Sequence, residues 1–372
     1  MTKKIIVISG VGMTEGGILS VLQDFLTSAE SNLKDEWDIY ALVHDKKKFK
    51  NSSIKFIEFP HIKQSWIKRI HFELIKSKKI SQELNADIWF SLHDMTSITQ
   101  AKKRYVYAHN PSSFIRPGIR DLYFDPKFFF HSLVYKYVYG LNIRSNTNVF
   151  VQQTWIKEEF HKRYKINNIL VSSPFKKKEI RKIPNIDNKV IKNWIYPTFP
   201  RHFKNIEIIC EAMINLNKKR LNNINIDITI DGKENRYSRW IYRKYKDVKG
   251  ISFIGLQSRK ELDIKYAMAD GLIFPSLLET WGLPLTEAQE YSLPILVSDL
   301  PYAKESTAFY KKVKYFDPKN AENLSKILDD FNMNRVDYFS DKNEIFHENT
   351  LKVDLYGWDE LVNYVCELNE TK

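Results

Sequence analysis

Cysteine is scarce: Cys210 and Cys366 are the only two in 372 residues. Two cannot build a disulfide framework, and they suit a reducing compartment, with the cytoplasm as the default. Glycine and proline number only 12 and 13, and there is no low-complexity tract, which excludes a collagen-like or disordered chain. Long apolar runs are also missing, since no stretch approaches the ~18 consecutive apolar residues of a membrane-spanning helix. The start, MTKKIIVISGVGM, is basic and then apolar, but Gly10, Gly12 and Glu15 interrupt it before an apolar signal core or cleavage site forms. It reads as a first strand rather than a signal peptide. What is present is 43% hydrophobic and 28% charged residues, enough for a sizeable core and for about two domains at ~100–200 residues each. The net charge of +13 is unevenly placed: residues 1–185 hold 31 Lys and Arg against 17 Asp and Glu, and residues 186–372 hold 27 against 28. The whole basic excess lies in the N-terminal half, where nucleic acid, an anionic membrane, acidic ligands or solubility alone could account for it.

Short β-rich runs alternate with segments of helical spacing, the pattern of parallel α/β units. Strands are predicted at 5–9, 39–43, 54–59, 88–91, 105–108, 149–151 and 169–171, with helices such as 17–28 and 154–164. The polar, basic stretch SSPFKKKEIRKIPNIDN, 172–188, reads as a linker. A second series follows, with strands at 190–195, 224–231, 251–253, 271–274 and 294–298 and helices at 206–215, 236–245, 259–267, 284–291 and 321–331. The expected fold is two doubly wound parallel sheets in tandem with a cleft between them. Loops at the carboxyl ends of such strands are where ligands bind.

The strongest local signal is FPSLLETWGLPLTEAQEYSLPILVSD, 274–299. A strand runs into a loop carrying Glu279, a Gly-Leu-Pro turn follows, and a helix opens near Pro284 with Glu287 in its first turn, where Pro and an acid both suit a helix start. The two carboxylates alone could be a loop acid and a helix-start acid. The E-x7-E spacing inside PSLLETWGLPLTEA, however, resembles the signature of retaining GT-B glycosyltransferases, in particular glycosyltransferase family 4. YPTFPRHFKNIEIICEA (196–212), IDG (230–232), FIGLQSRKELDIKYAMADGLIFPS (253–276) and Tyr356-Gly357-Trp358 are similar to further family segments in the expected order.

That resemblance implies a GT-B fold with an acceptor-binding domain at 1–185, a nucleotide-sugar domain at 186–352, and a closing helix in 353–372 that packs back toward the first domain. It implies that Glu287 accepts hydrogen bonds from ribose hydroxyls and that Glu279 stands beside the donor sugar, stabilising positive charge at the anomeric carbon. Backbone amides of Gly282 and Leu283 face sugar or phosphate oxygens, and Leu256 joins the donor-binding residues. The departing diphosphate calls for cations, for which Arg201 and Lys204 are the candidates. Many family members space this pair as R-x4-K; here Phe199 occupies the arginine's place and Arg201 stands only three before Lys204, so Lys204 is the safer assignment.

In the first half, SGVGMTEGG (9–17) fails as a dinucleotide fingerprint because three residues, not two, separate Gly12 from Gly16. The resemblance gives Gly16 and Gly17 a different use, letting a loop approach the donor phosphate or acceptor; a plain turn is the alternative. His109, in YAHNPSSF, matches a family histidine facing the donor sugar, with His93, Asp94, Gln153 and Thr154 as secondary candidates. No carboxylate pair is placed to hold a metal on a diphosphate, so neither metal nor other cofactor is expected. The aromatic stretch FFFHSLVYKYVYG (128–140) reads as a buried helix or as a surface against a membrane or lipid-linked acceptor.

The resulting expectation is a retaining transferase of hexosyl type, peripheral on the inner face of the cytoplasmic membrane. It would move a sugar from a nucleotide-sugar to a polyprenyl-diphosphate-linked surface glycan such as O-antigen or capsule. A GT-B-like nucleotide-sugar 2-epimerase is the alternative. A non-catalytic nucleic-acid binder is a second, but it leaves the acidic motif without a use, so no nucleic-acid partner is expected.

Overall fold

Apolar runs such as KIIVIS, IWFS and ILVS become strands whose side chains are buried on both faces, as parallel sheets covered by helices require. The computed structural model describes residues 3–62, 65–174, 192–219, 223–308, 310–335 and 353–367. Among these are strands β1 (Lys4–Ser9), β2 (Trp37–Val43), β3 (Ile54–Glu58), β4 (Ile88–Ser91), β5 (Lys103–Ala108), β6 (Asn148–Val151) and β7 (Ile169–Ser173). Then follow β8 (Lys192–Tyr196), β9 (Ile224–Ile228), β10 (Ile251–Phe253), β11 (Gly271–Phe274), β12 (Ile295–Ser298), β13 (Val313–Phe316) and β14 (Leu355–Tyr356). They form one sheet ordered β14-β7-β6-β5-β4-β1-β2-β3 and another ordered β10-β9-β8-β11-β12-β13. Every ladder is parallel. The two doubly wound sheets expected from the sequence are therefore present.

In each sheet the chain builds outward to one side, returns to the middle, and builds to the other. The reversal lies between β1 and β4 in the first sheet and between β8 and β11 in the second. Adjacent strand ends at such a reversal have their connections leading away in opposite directions, which leaves a crevice for a ligand.

The chain divides into two compact units, Met1–Phe114 with Val134–Lys177 and Lys352–Lys372, and Ile115–Leu133 with Lys178–Leu351. This differs from a single boundary at 185/186, because residues 115–133 make an excursion into the second unit. The linker reading also changes: β7 runs to Ser173 and so takes its first two residues, while 175–188 lie outside the described residues. Among the described residues, elements that the sequence reading does not name include β13, β14, the helical run 66–83 and the short helices Ile119–Phe124 and Pro301–Ser306.

In the first unit, helix Gly16–Leu33 buries Leu22, Phe25, Leu26 and Ala29 against the sheet. Helix Gly357–Glu367 adds Trp358, Leu361, Val362 and Val365 to that core, with Trp358 edge-on to Phe25 at 5.7 Å. In the second unit, Gly271 of β11 pairs with Trp194 of β8. A Cβ at Gly271 would lie 2.3 Å from the Trp194 ring, so the glycine is what lets the buried indole lie there.

Candidate active site

The second unit assembles its candidate residues at the β8/β11 reversal. After β8, the segment PTFPR leads into a 3-10 turn, His202–Lys204. Tyr196 at the end of β8 donates its hydroxyl to the Lys204 carbonyl at 2.7 Å, and the Leu277 amide donates to the Phe203 carbonyl at 2.8 Å. Asn205, left-handed at φ 54°, donates its side-chain amide to the carbonyls of Pro275 and Pro318. The turn is thereby fastened to the ends of β8, β11 and β13. Lys204 Nζ forms a hydrogen-bonded ion pair with Glu279 in the loop after β11, and the two side chains are only 18% and 12% exposed. The sequence reading named both residues but gave no reason for them to touch.

Gly282 stands at φ 81° just before helix Leu283–Glu290, and a Cβ there would press on Leu285 and Phe274 at 3.1 and 3.3 Å. It and Leu283 form the N-terminus that follows the Glu279 loop. Trp281 is half-buried, its indole N–H donating to Thr286 at 2.8 Å. Glu287, further along this helix, accepts from the Arg259 guanidinium and from the Tyr266 hydroxyl. Leu256 is exposed in the turn after β10. Arg201 does not join Lys204: it pairs with Asp125 of the 115–133 excursion and lies 5.6 Å from the Phe128 ring centroid and 5.5 Å from that of Phe199.

The first unit has a second cluster at the β1/β4 reversal. Gly16, at φ 63°, and Gly17 are exposed where helix Gly16–Leu33 begins. His93, after β4, has Nε2 2.8 Å from Ser9 Oγ at the end of β1. Asp94 is a non-glycine residue at φ 75°, a conformation that costs energy and persists only where the surroundings hold it. Its Oδ1 accepts from the backbone amides of His109 (2.8 Å) and Asn110 (3.1 Å) and from Tyr139 Oη (2.9 Å), while Oδ2 accepts from Tyr135 Oη (3.0 Å). Burial, reinforced by Asp94, holds both tyrosine pKa values well above the ordinary range, so they stay donors. Asp94 thus shapes the turn that carries His109. Gln153 is fully buried and accepts from the Trp155 indole at 2.6 Å, with Thr154 opening helix Thr154–Tyr164.

Sequence reasoning missed Arg69 and Glu73. Helix Trp66–His71 continues into a π turn, Phe72–Lys76, a local widening common at functional sites. It turns Glu73 fully inward, with Oε1 2.8 Å from Arg69 Nε and 3.5 Å from His93 Nε2, while Ser97 donates to Oε2 at 2.6 Å. Burial raises the Glu73 carboxyl pKa, with Arg69 opposing. Burial first, and then the Arg69 charge, hold the His93 pKa well below its ordinary value, so the imidazole is neutral. The i,i+4 spacing of Arg69 and Glu73 was visible in the sequence, but it reads there as a solvated helix face.

Residues 176–353 match the family model described as Glycosyl transferases group 1, a stretch that takes in the Lys204, Glu279 and Glu287 site. A curated relative, the O-antigen chain mannosyltransferase RfbU of Salmonella typhimurium, is 24% identical over 193 residues, covering 50% of this chain and 52% of that protein. The matched stretch thus spans about half the length of that relative. Among solved structures, the lipopolysaccharide outer core galactosyltransferase WaaB in its apo form is similar with a TM-score of 0.61 at 15% identity, over 98% of this chain and 99% of that one. A protein described as a UDP-N-acetylglucosamine 2-epimerase from Listeria monocytogenes is similar with a TM-score of 0.56 at 13% identity, over 100% and 98%. At such identities the likeness establishes the fold, which is GT-B.

Proposed function

We propose that this protein is a retaining glycosyltransferase that moves a sugar from a nucleotide-sugar donor to a hydroxyl of a lipid-diphosphate-linked bacterial surface glycan. The observation that carries this reading is the half-buried Lys204–Glu279 pair at the β8/β11 reversal, inside the stretch that matches the group 1 family. A cation there suits a departing diphosphate, and a carboxylate suits a sugar whose anomeric carbon gains positive charge. The bond from that carbon to the donor phosphate oxygen breaks, and a bond to the acceptor oxygen forms on the same face. The acceptor's proton passes to the leaving phosphate oxygen. Lys204 neutralises the diphosphate without a metal ion, with Arg201 as a second cation once it leaves Asp125.

For the lipid-linked acceptor we read helix Pro126–Gly140 as lying against an anionic membrane. It leaves Phe130, Leu133, Val134 and Tyr137 exposed on one stripe, with Lys127 and Lys136 on the same helix. Among the described residues no helix is long and apolar enough to cross a membrane.

The test begins with a thermal-shift screen against UDP, GDP, dTDP and CMP sugars. Product analysis with the stabilising donor follows, with and without a lipid-diphosphate-primed glycan. Release of the nucleotide with a new glycoside of the donor's anomeric configuration is expected. Glu287→Ala should mainly weaken donor binding and Lys204→Ala mainly lower turnover, and unchanged kinetics in both would end the site assignment. The fold shared with the Listeria protein favours nucleotide-sugar 2-epimerisation as a second reading; conversion of donor alone to its C2 epimer would establish that instead. Failure of the protein to float with anionic vesicles would remove the membrane part.

A further inference from the structure

Glu287 has a donor on each carboxylate oxygen, and both donors come from helix Arg259–Met268. The Arg259 guanidinium takes Oε1, and the Tyr266 hydroxyl lies 2.8 Å from Oε2. Seven residues apart, they sit two turns along one helix face. Their own positions are fixed. Tyr266 is fully buried and stacks on Tyr291 at 5.4 Å with ring planes 21° apart. Tyr291 donates its hydroxyl to Asp263 Oδ1 at 3.1 Å, and that same oxygen is 2.9 Å from Arg259 Nη2. Arg259, Asp263, Tyr291, Tyr266 and Glu287 therefore close a ring of contacts that leaves the Glu287 carboxylate little freedom to rotate.

An ionised carboxylate offers about four acceptor positions, two on each oxygen. Arg259 and Tyr266 use one on each, so one on each remains. The Glu287 side chain is 16% exposed, which leaves those positions open to a ligand rather than to the protein. Two acceptor sites side by side in a fixed plane match two hydroxyls on adjacent carbons.

Resting on the reading of this unit as a nucleotide-sugar site, we propose that Arg259 and Tyr266 are positioning residues that set the Glu287 carboxylate to read the 2′,3′-diol of the donor's ribose. The site thereby selects ribonucleotide over 2′-deoxyribonucleotide donors. Neither residue touches the diol; each acts through Glu287. Without the Tyr266 hydroxyl, the carboxylate is free to turn into a two-point pair with Arg259, which consumes the acceptor positions meant for the sugar. Without Arg259, it loses the cation that anchors Oε1.

The experiment is isothermal titration of wild type, Tyr266→Phe, Arg259→Ala and Arg259→Lys with UDP, GDP and their 2′-deoxy counterparts. Whichever of UDP and GDP binds wild type is expected to bind about tenfold or more tighter than its deoxy form, the scale of one lost hydrogen bond to a charged group. Tyr266→Phe and Arg259→Ala should bring that ratio to within about threefold while deoxy affinity changes by less than about twofold, and Arg259→Lys should restore part of it. The deoxy form is the internal control for folding and diphosphate contacts. Equal losses for ribo and deoxy forms, or an unchanged ratio, would overturn the positioning role alone. If neither UDP nor GDP binds wild type, this inference fails; if dTDP and CMP sugars also leave the protein unshifted, the functional reading beneath it fails as well.

Discussion

Neutralising Glu279 should tighten nucleoside diphosphate binding while slowing turnover, and that opposition of sign distinguishes an electrostatic site from a structural ion pair. Lys204 and Glu279 are in contact and mostly shielded from water, so a diphosphate arriving beside the ammonium also meets the carboxylate. For charge centres about 6 Å apart at an effective dielectric of about 20, each pair of unit charges is worth about 3 kcal/mol. Screening over a Debye length of about 8 Å removes roughly half of that at physiological salt. Glu279→Gln keeps the shape and a hydrogen-bonding oxygen but deletes the repulsion, so affinity for UDP or GDP should rise about tenfold. Lys204→Ala deletes the attraction and should lower it by a similar factor. Turnover should fall in both, by the ~10²–10³ typical of losing one preorganised charge partner. Isothermal titration at low and high salt gives the affinities, and nucleotide release gives the rate. The difference between the two variants should shrink as salt rises. If Glu279→Gln weakens binding as Lys204→Ala does, the pair merely fastens two loops and the electrostatic reading is wrong.

Glu73→Ala and Arg69→Ala should each cost about 2–4 kcal/mol in denaturant titrations, because each strands a buried or nearly buried charge, and the double variant should lose much less than the sum. Additive losses would show that the two side chains do not depend on each other. His93 is neutral when folded but takes a proton below about 6.5 when unfolded, so its contribution is full above that pH and is lost as pH falls, at up to ~1.4 kcal/mol per pH unit. Glu73, whose folded value is raised from 4.5, works in the other direction, adding stability as pH falls toward 4.5. His93→Gln should therefore flatten the acid side of the stability profile between pH 6.5 and 5, and an unchanged slope would exclude His93 as its source. Gly271→Ala must push on the Trp194 ring from 2.3 Å and should cost about 1–3 kcal/mol, seen as a lower melting temperature; a neutral result would mean the indole can move aside.

The fold was legible because parallel strands buried on both faces write themselves as short apolar runs, and runs such as IWFS and ILVS need no long-range information to be recognised. Val313–Phe316 was missed because VKYF is short and carries a lysine, and Leu355–Tyr356 because two residues make no pattern; each becomes a strand only by pairing at a sheet margin already in place. Glu279 and Glu287 were legible because their spacing is local. Their pairings were not. Lys204 lies 75 residues from Glu279, and nothing in either segment states that β8 and β11 are neighbours. Glu73 was hidden for a different reason: opposite charges at i,i+4 ordinarily describe a solvated helix face, whereas here the pair sits at a π turn with Glu73 buried. Both clusters nevertheless obey one rule, for each stands where strand order reverses, at β1/β4 and at β8/β11. At a reversal the connections leave adjacent strand ends in opposite directions, so the crevice is not filled by a crossing chain. Side chains projecting into it can carry charge, provided that they find each other there. The Lys204–Glu279 and Arg69–Glu73 pairs are two instances of that requirement, set by the order of the strands rather than by any motif within them.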